Sequence, residues 1–303
     1  MIRVSVIIPT RDRPGPLAAC LRALAVSYPA DAETIVISDG GSEDLGPVVK
    51  PFLDSLRLQL LQVEAGGPSA ARNHGLLVAR GSIVLFTDDD CRPLPGWVNA
   101  LAGGVSLSPP IAVGGATNNG LPANAYADTA QLVLCLLARH DLAVIKRERL
   151  LASNNLAFPA ETLRQIGGFD ERFRTAEDRE LCRRWAAAGY SLGRVLEAVV
   201  EHDDRLTLSG FVLKFFAYGR GAARFHGSGV PSSLRGSLGF HFRLPVLVLP
   251  ELRRRGFGRG MAVAALLVMW EIANTAGYLA ERVGLPASRT EPAREAALAK
   301  VVR

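Results

Sequence analysis

Three consecutive carboxylates, Asp88-Asp89-Asp90, follow directly on the apolar run Ile83-Val84-Leu85-Phe86. Adjacent carboxylates repel one another and resist burial, so a hard cation is their natural neutraliser. Mg2+ or Mn2+ suits this supply of oxygens, held by one or two carboxylates together with substrate phosphates. A solvated acidic turn is the competing reading of the triplet taken alone. Asp39 stands in a second polar turn, Ser38-Asp39-Gly40-Gly41-Ser42. A carboxylate there can accept a hydrogen bond from a base N–H or a ribose hydroxyl, with glycine letting the ligand approach the backbone. The same string also makes an ordinary turn between strand and helix.

In Gly66-Gly67-Pro68-Ser69-Ala70-Ala71-Arg72-Asn73 a glycine turn precedes a helix whose expected cap is Ser69. Arg72 falls in its first turn, near the positive end of the helix, where an anion is welcome; an ordinary surface arginine is the alternative. Glu177-Asp178 opens another helix, with Leu181, Trp185 and Ala188 on its apolar stripe. An acidic pair at that place compensates the helix dipole, or it supplies a general base to an acceptor hydroxyl. His202 ends an apolar stretch, Val195 to Val200, as a plain strand-end residue or as an imidazole ligand to the cation.

The elements that must position these residues alternate. Short β-branched runs at Val4 to Ile8, Thr34 to Ile37, Leu58 to Val63 and Ile83 to Phe86 read as buried strands. Helical spacing separates them at Leu17 to Leu24, Val48 to Leu56 and Ser69 to Ala79. The pattern implies an α/β fold with a mostly parallel sheet flanked by helices, in which ligands gather at the carboxyl ends of the strands. The turns at Pro9, Asp39 and Asp88 all fall at that rim. Further along, Trp97 to Leu101 and Thr129 to Leu151 read as helices, Ile111 to Gly115 and Leu192 to Val200 as strands, and Glu177 to Ala188 as a helix stopped by Gly189.

Taken in order, these strings resemble the family 2 glycosyltransferases of GT-A fold. The resemblance covers about the first two thirds of the chain. It is carried by Val4-Ser5-Val6-Ile7-Ile8-Pro9-Thr10-Arg11, Asp39-Gly40-Gly41-Ser42, Ala71-Arg72-Asn73-His74-Gly75, Phe86-Thr87-Asp88-Asp89-Asp90, Gly167-Gly168-Phe169-Asp170-Glu171 and Glu177-Asp178. It implies that Pro9, Thr10, Arg11, Asp39 and Arg72 line a nucleotide pocket together with Asp88 and Asp89. Asp88 and Asp90 match the ends of the family's DxD motif, with Asp90 as the direct metal ligand, and Asp178 matches the base of an inverting transfer. The expected partners are a nucleoside-diphosphate sugar donor and a glycan or lipid-linked acceptor, in envelope or polysaccharide synthesis. One departure bears on the product. Processive members carry QxxRW well downstream of the base, whereas here Arg184-Trp185 lies in the same helix as Asp178 and Leu181 takes the glutamine position. Transfer of a single sugar is therefore expected.

Two rivals remain: a module of the same fold that binds a nucleotide sugar without transferring it, and a nucleotidyltransferase that makes one. Loss of the base would mark the first, and a glycine-rich basic loop after the first strand would mark the second. The chain has neither sign, since Pro9-Thr10-Arg11-Asp12-Arg13-Pro14 lacks glycine.

The net charge of +6 comes almost wholly from arginine, the residue whose planar fork suits phosphates. The arginines are dispersed and no nucleic-acid-binding motif accompanies them, so nucleic acid is not an expected partner. Cys20, Cys91, Cys135 and Cys182 form no CxxC pair and read as reduced thiols, and no secretory signal opens the chain. A cytoplasmic enzyme is expected, with a peripheral place at the membrane left open.

Composition shifts near residue 206, which divides a GT-A domain at 1–206 from a helical appendage at 207–303. Within the appendage, Met261 to Ala280 is apolar apart from Glu271, Asn274 and Thr275, and it follows Arg253-Arg254-Arg255. Its uninterrupted part is short of the ~20 residues a span needs. Packing on the protein, lying in the membrane interface and spanning with Glu271 inside the bilayer all stay open.

Overall fold

The computed structural model describes residues 2–144, 151–228 and 234–285. The chain divides into two compact units. Of the described residues, the first comprises 2–120 and 151–203, the second 121–144, 204–228 and 234–285.

The first unit is built on one mixed sheet. Its strands are β1 (Val4–Thr10), β2 (Ala32–Asp39), β3 (Leu58–Val63), β4 (Ile83–Phe86), β5 (Cys91–Pro93), β6 (Ser106–Leu107), β7 (Pro110–Asn119), β8 (Leu156–Pro159) and β9 (Ser191–His202). Their spatial order is β3-β2-β1-β4-β8-β7-β9-β5, with β6 paired to β7. The β3-β2-β1-β4 half is parallel throughout; β8 joins β4 antiparallel, and β5 joins β9 antiparallel. Alternate residues of β1 feed two apolar layers, Val4, Val6 and Ile8 on one face and Ile7 on the other. Helices α1 (Pro14–Ala25), α2 (Gly46–Val49) and α4 (Trp97–Gly104) pack on the first face. Helices α3 (Pro68–Val78), α6 (Ala160–Gln165) and α7 (Glu177–Ala187) pack on the second. Burial on both faces explains why the parallel strands read as continuous apolar runs rather than alternating ones.

The first four strands and the helices between them fall within a few residues of the sequence reading. Helix α3 starts at Pro68 with Gly67 as N-cap, and the expected cap Ser69 instead donates its Oγ–H to the Phe173 carbonyl, 2.7 Å away. Proline at the first helical position needs no N–H partner, so the helix begins one residue early. The expected helix over Val48 to Leu56 is reduced to α2 and one following turn. Strands β5 and β6 were not expected; at three and two residues they carry no periodic signal.

The second unit contains α5 (Ala125–Val144), α8 (Leu208–Gly227), α9 (Leu234–Arg254) and α10 (Phe257–Arg282). Its core joins Leu132, Val133 and Leu136 of α5 to Phe211 and Phe215 of α8, Phe240 and Leu244 of α9, and Leu267 and Trp270 of α10. Residues 121–144 therefore belong with the C-terminal helices, although they precede the sequence boundary at 206. The expected continuation of α5 through residues 145–150 lies outside the described residues. Helices α8 and α10 meet backbone to backbone. A Cβ at Gly219 would stand 2.0 Å from the Asn274 carbonyl oxygen, and one at Gly277 would stand 1.9 Å from that of Phe216.

Candidate active site

Parallel pairing of β1 with β2 and β4 brings the ends of these strands to one edge, with Thr10 opposite Ser38 and Ile7 opposite Phe86. The chain leaves β4 through buried Thr87 into the acidic turn, which closes when the Cys91 N–H bonds to the Asp88 carbonyl at 3.1 Å. The three aspartates then go separate ways. Asp89 is turned inward and accepts from Thr10 Oγ1 at 2.7 Å and Arg13 Nη1 at 2.7 Å. Asp90 accepts from Arg13 Nη2 at 2.9 Å and faces His202 Nε2 at 3.3 Å. Asp88, the most exposed of the three, accepts from Arg72 Nη2 at 2.7 Å.

Strand register accounts for His202. β5 runs antiparallel to β9 with Cys91 opposite His202, and the Asp203 N–H bonds to the Asp90 carbonyl at 2.8 Å. Asp90 Oδ, His202 Nε2 and Cys91 Sγ lie within 4.8 Å of one another, the only such group of three metal-capable side chains among the described residues. Burial pushes the Cys91 thiol well above its ordinary range, so it stays protonated and is a poor ligand beside the other two. At Asp90, burial opposes ionisation, but His202 and Arg13 outweigh it and hold the carboxyl far below its usual value. A carboxylate oxygen and, in its neutral form, an imidazole nitrogen are a donor pair that could hold a divalent cation.

Arg72 is 3 % exposed and ties two regions together: Nη2 holds Asp88, and Nη1 holds Glu177 Oε1 at 3.0 Å. Ser153 continues the chain of contacts, its Oγ reaching Glu177 Oε1 at 3.3 Å and its N–H reaching Asp178 Oδ2 at 3.2 Å. Asp178 Oδ1 accepts from the Arg179 N–H at 2.7 Å. The acidic turn and the start of α7 are thus neighbours, linked by one buried guanidinium. Burial raises the pKa of Asp178 and lifts that of Glu177 to about 7, the charge of Asp178 adding to the latter. Ala176, which caps α7, has φ 65°, a left-handed conformation costing a non-glycine residue about 1 kcal/mol. It bends the chain so that Glu177 and Asp178 enter the helix at this spot.

The other expected nucleotide-pocket residues are placed as follows. Asp39 is buried at the end of β2, and its two oxygens accept from the Gly66 N–H at 2.7 Å and the Gly67 N–H at 2.9 Å, so it organises the loop before α3. Pro9 pairs in register with Ile37, and Arg11 is half-buried with its Nε shielded from solvent and without a partner. Three residues of this network were not singled out from sequence: Arg13, which bridges Asp89 and Asp90; Ser153; and Asp12, whose Oδ1 accepts from the Ser42 and Glu43 N–H groups. Arg13 stands two residues past Arg11 in the same turn, the one cue that could have marked it.

Comparison with known proteins bears on the family and the fold. Residues 5–133 match the family model "Glycosyl transferase family 2". The pre-mycofactocin glycosyltransferase of Mycobacterium tuberculosis is 30% identical over 230 residues, 73% of this chain; the chain spans 47% of that protein's length. Glycosyltransferase AglE of Haloferax volcanii is 26% identical over 297 residues, covering 91% of this chain and 95% of its own. Among solved structures, the mannosyltransferase PcManGT from Pyrobaculum calidifontis, in complex with GDP-Man and Mn2+, superposes with a TM-score of 0.60 at 20% identity over 98% of this chain and 80% of its own, a likeness of fold. With the sheet order, the acidic turn after β4 and the acidic start of α7 already in place, the chain belongs to glycosyl transferase family 2 and adopts the GT-A fold.

Proposed function

We propose that the chain transfers one sugar from a nucleoside diphosphate to an acceptor hydroxyl with inversion, in the cytoplasm. The observation that carries this reading is the Asp88–Arg72–Glu177 bridge, which puts the Asp178 carboxylate beside an acidic turn suited to a donor diphosphate. Asp90 and His202 would hold a divalent cation, which supplies charge neutralisation at the diphosphate as the sugar leaves. Asp178 accepts the proton of the acceptor hydroxyl while its oxygen bonds to the anomeric carbon and the bond to the diphosphate breaks. A carboxylate whose pKa burial has raised is a stronger base than a solvated one, and a pKa nearer the working pH favours proton transfer. The Ser153 and Arg179 N–H groups fix its orientation.

Cation use and a nucleotide-sugar donor are supported by the PcManGT complex, which holds GDP-Man and Mn2+. A glycan or lipid-linked acceptor of the cell envelope fits the expectation from sequence. A panel of sugar nucleotides tests the reading, scored for nucleoside diphosphate release with and without Mn2+ or Mg2+ and repeated with Asp90→Ala and Asp178→Asn. Asp90→Ala should weaken cation-dependent donor binding, whereas Asp178→Asn should retain binding and lose transfer by a factor of about 100 or more. Transfer surviving in Asp178→Asn removes the base assignment, and pyrophosphate release from a nucleoside triphosphate replaces the whole reading.

A further inference from the structure

Helix α10 presents an apolar stripe to solvent, with exposed Thr275 at its border. Met261, Ala265, Val268, Ile272, Ala276 and Leu279 are all exposed and recur every three or four residues, the spacing of a single helix face. Its opposite face, with Val263, Leu267, Trp270 and Gly277, is buried in the unit's own core. Beside the stripe a groove of about 340 Å³ opens between α8 and α10, and all its lining side chains are apolar, Val212 and Phe216 from α8 among them. Helix α9 adds exposed Phe242, Val246 and Leu249. At the turn from α9 to α10, Phe257 is 89% exposed and is flanked by exposed Arg253, Arg254 and Arg259.

The charges of this unit are one-sided. Its described carboxylates Asp128, Asp204, Glu251, Glu271 and Glu281 are each held by a basic partner, whereas Arg243 and Arg253 are exposed and in no ion pair among the described residues. An apolar face bordered by unpaired guanidinium groups complements a surface that offers hydrocarbon below a layer of negative charge. We infer that α9 and α10 dock on an anionic lipid bilayer, with the Met261-to-Leu279 stripe and Phe257 entering the acyl boundary and Arg243, Arg253 and Arg254 meeting lipid phosphates. A second copy fits less well, because a twofold pairing would bury the stripe while bringing the same unpaired arginines toward one another. A bilayer span would strip water from the buried core face's own ion pairs, such as Arg220 and Arg224 with Glu281.

The inference stands apart from the catalytic reading, since its test uses neither donor nor acceptor. Full-length protein is sedimented with vesicles of phosphatidylcholine alone and of equal parts phosphatidylcholine and phosphatidylglycerol. Binding is expected only to the second, weakening as salt is raised. Val268→Ser with Ile272→Ser, both exposed and therefore compatible with folding, should lower affinity at least about tenfold. Arg253→Gln with Arg254→Gln should lower it by about fivefold per arginine and remove the preference for phosphatidylglycerol. Equal affinity for both vesicles, no binding, or resistance of bound protein to alkaline carbonate extraction overturns the inference. So does a dimer in solution that the Val268→Ser, Ile272→Ser variant dissolves, which would give the face to a second copy.

Discussion

Replacing Arg72 by methionine isolates the bridge on which the candidate site depends. Methionine keeps most of the buried length, so the change removes two charge-assisted contacts with little loss of packing. The Glu177 arm can be worked out. Its carboxyl binds a proton more tightly in the folded chain, at about 7, than the ordinary 4.5, so between these values the native state holds more protons and stability falls as pH rises. At about pH 5.5 Glu177 is already protonated with Arg72 present, and removing the arginine costs almost nothing through this arm. At about pH 8.5 the carboxylate loses its counter-charge, and its cheapest escape is to take a proton, at 1.36 kcal/mol for each of about 1.5 pH units, or about 2 kcal/mol. The Asp88 arm adds about 0.5 kcal/mol at either pH, because that carboxylate is partly solvated. Urea unfolding of wild type and Arg72→Met at the two pH values should therefore show a destabilisation growing by about 2 kcal/mol toward alkaline pH. In a Glu177→Gln background the growth should vanish. A penalty independent of pH, or one that persists without Glu177, refutes the coupling.

Three further outcomes follow from the geometry. Asp39→Asn leaves one acceptor for two backbone donors, so the Gly66 and Gly67 amides should exchange hydrogen about tenfold faster, a loss of about 1.4 kcal/mol; unchanged exchange would contradict its part in ordering that loop. Gly219→Ala forces a methyl onto the Asn274 carbonyl and should destabilise the helical unit by about 3 kcal/mol, read as an earlier loss of helical circular dichroism on heating. Arg13→Gln frees Asp89 and Asp90 from their shared guanidinium and should weaken cation-dependent donor binding while leaving Asp39-dependent amide protection intact.

The parallel half of the sheet was legible because burial on both faces writes strands as runs of Val, Ile and Leu, and the acidic turn was legible because it follows such a run directly. The neighbourhood of Asp90 and His202 was suspected from two strand ends, but the link that produces it is the three-residue β5, which contains Pro93 and is too short to leave a pattern. The first-turn position of Arg72 suggested only an anion nearby, and the family resemblance gave it a place in the nucleotide pocket. Its burial between Asp88 and Glu177 is a tertiary fact, set by how α3 and α7 share one face of the sheet. Asp39 likewise carries the composition of a ligand-binding turn, and the backbone N–H groups that its oxygens accept come from a loop distant in sequence. The boundary at 206 missed the membership of α5 in the second unit, since helical periodicity says which face is buried and nothing about which partner buries it.

The pairing of β5 with β9 also carries a consequence for biosynthesis. As the ribosome releases the polypeptide from its amino end, the aspartate run emerges long before the histidine that faces it, and a little under half of the first unit is translated in between. A nascent chain halted ahead of β9 would display the three acids without their imidazole and with one sheet edge unfinished. A cation held by Asp90 and His202, as proposed above, would need the β5–β9 pairing in place, so its uptake would report completion of that sheet edge.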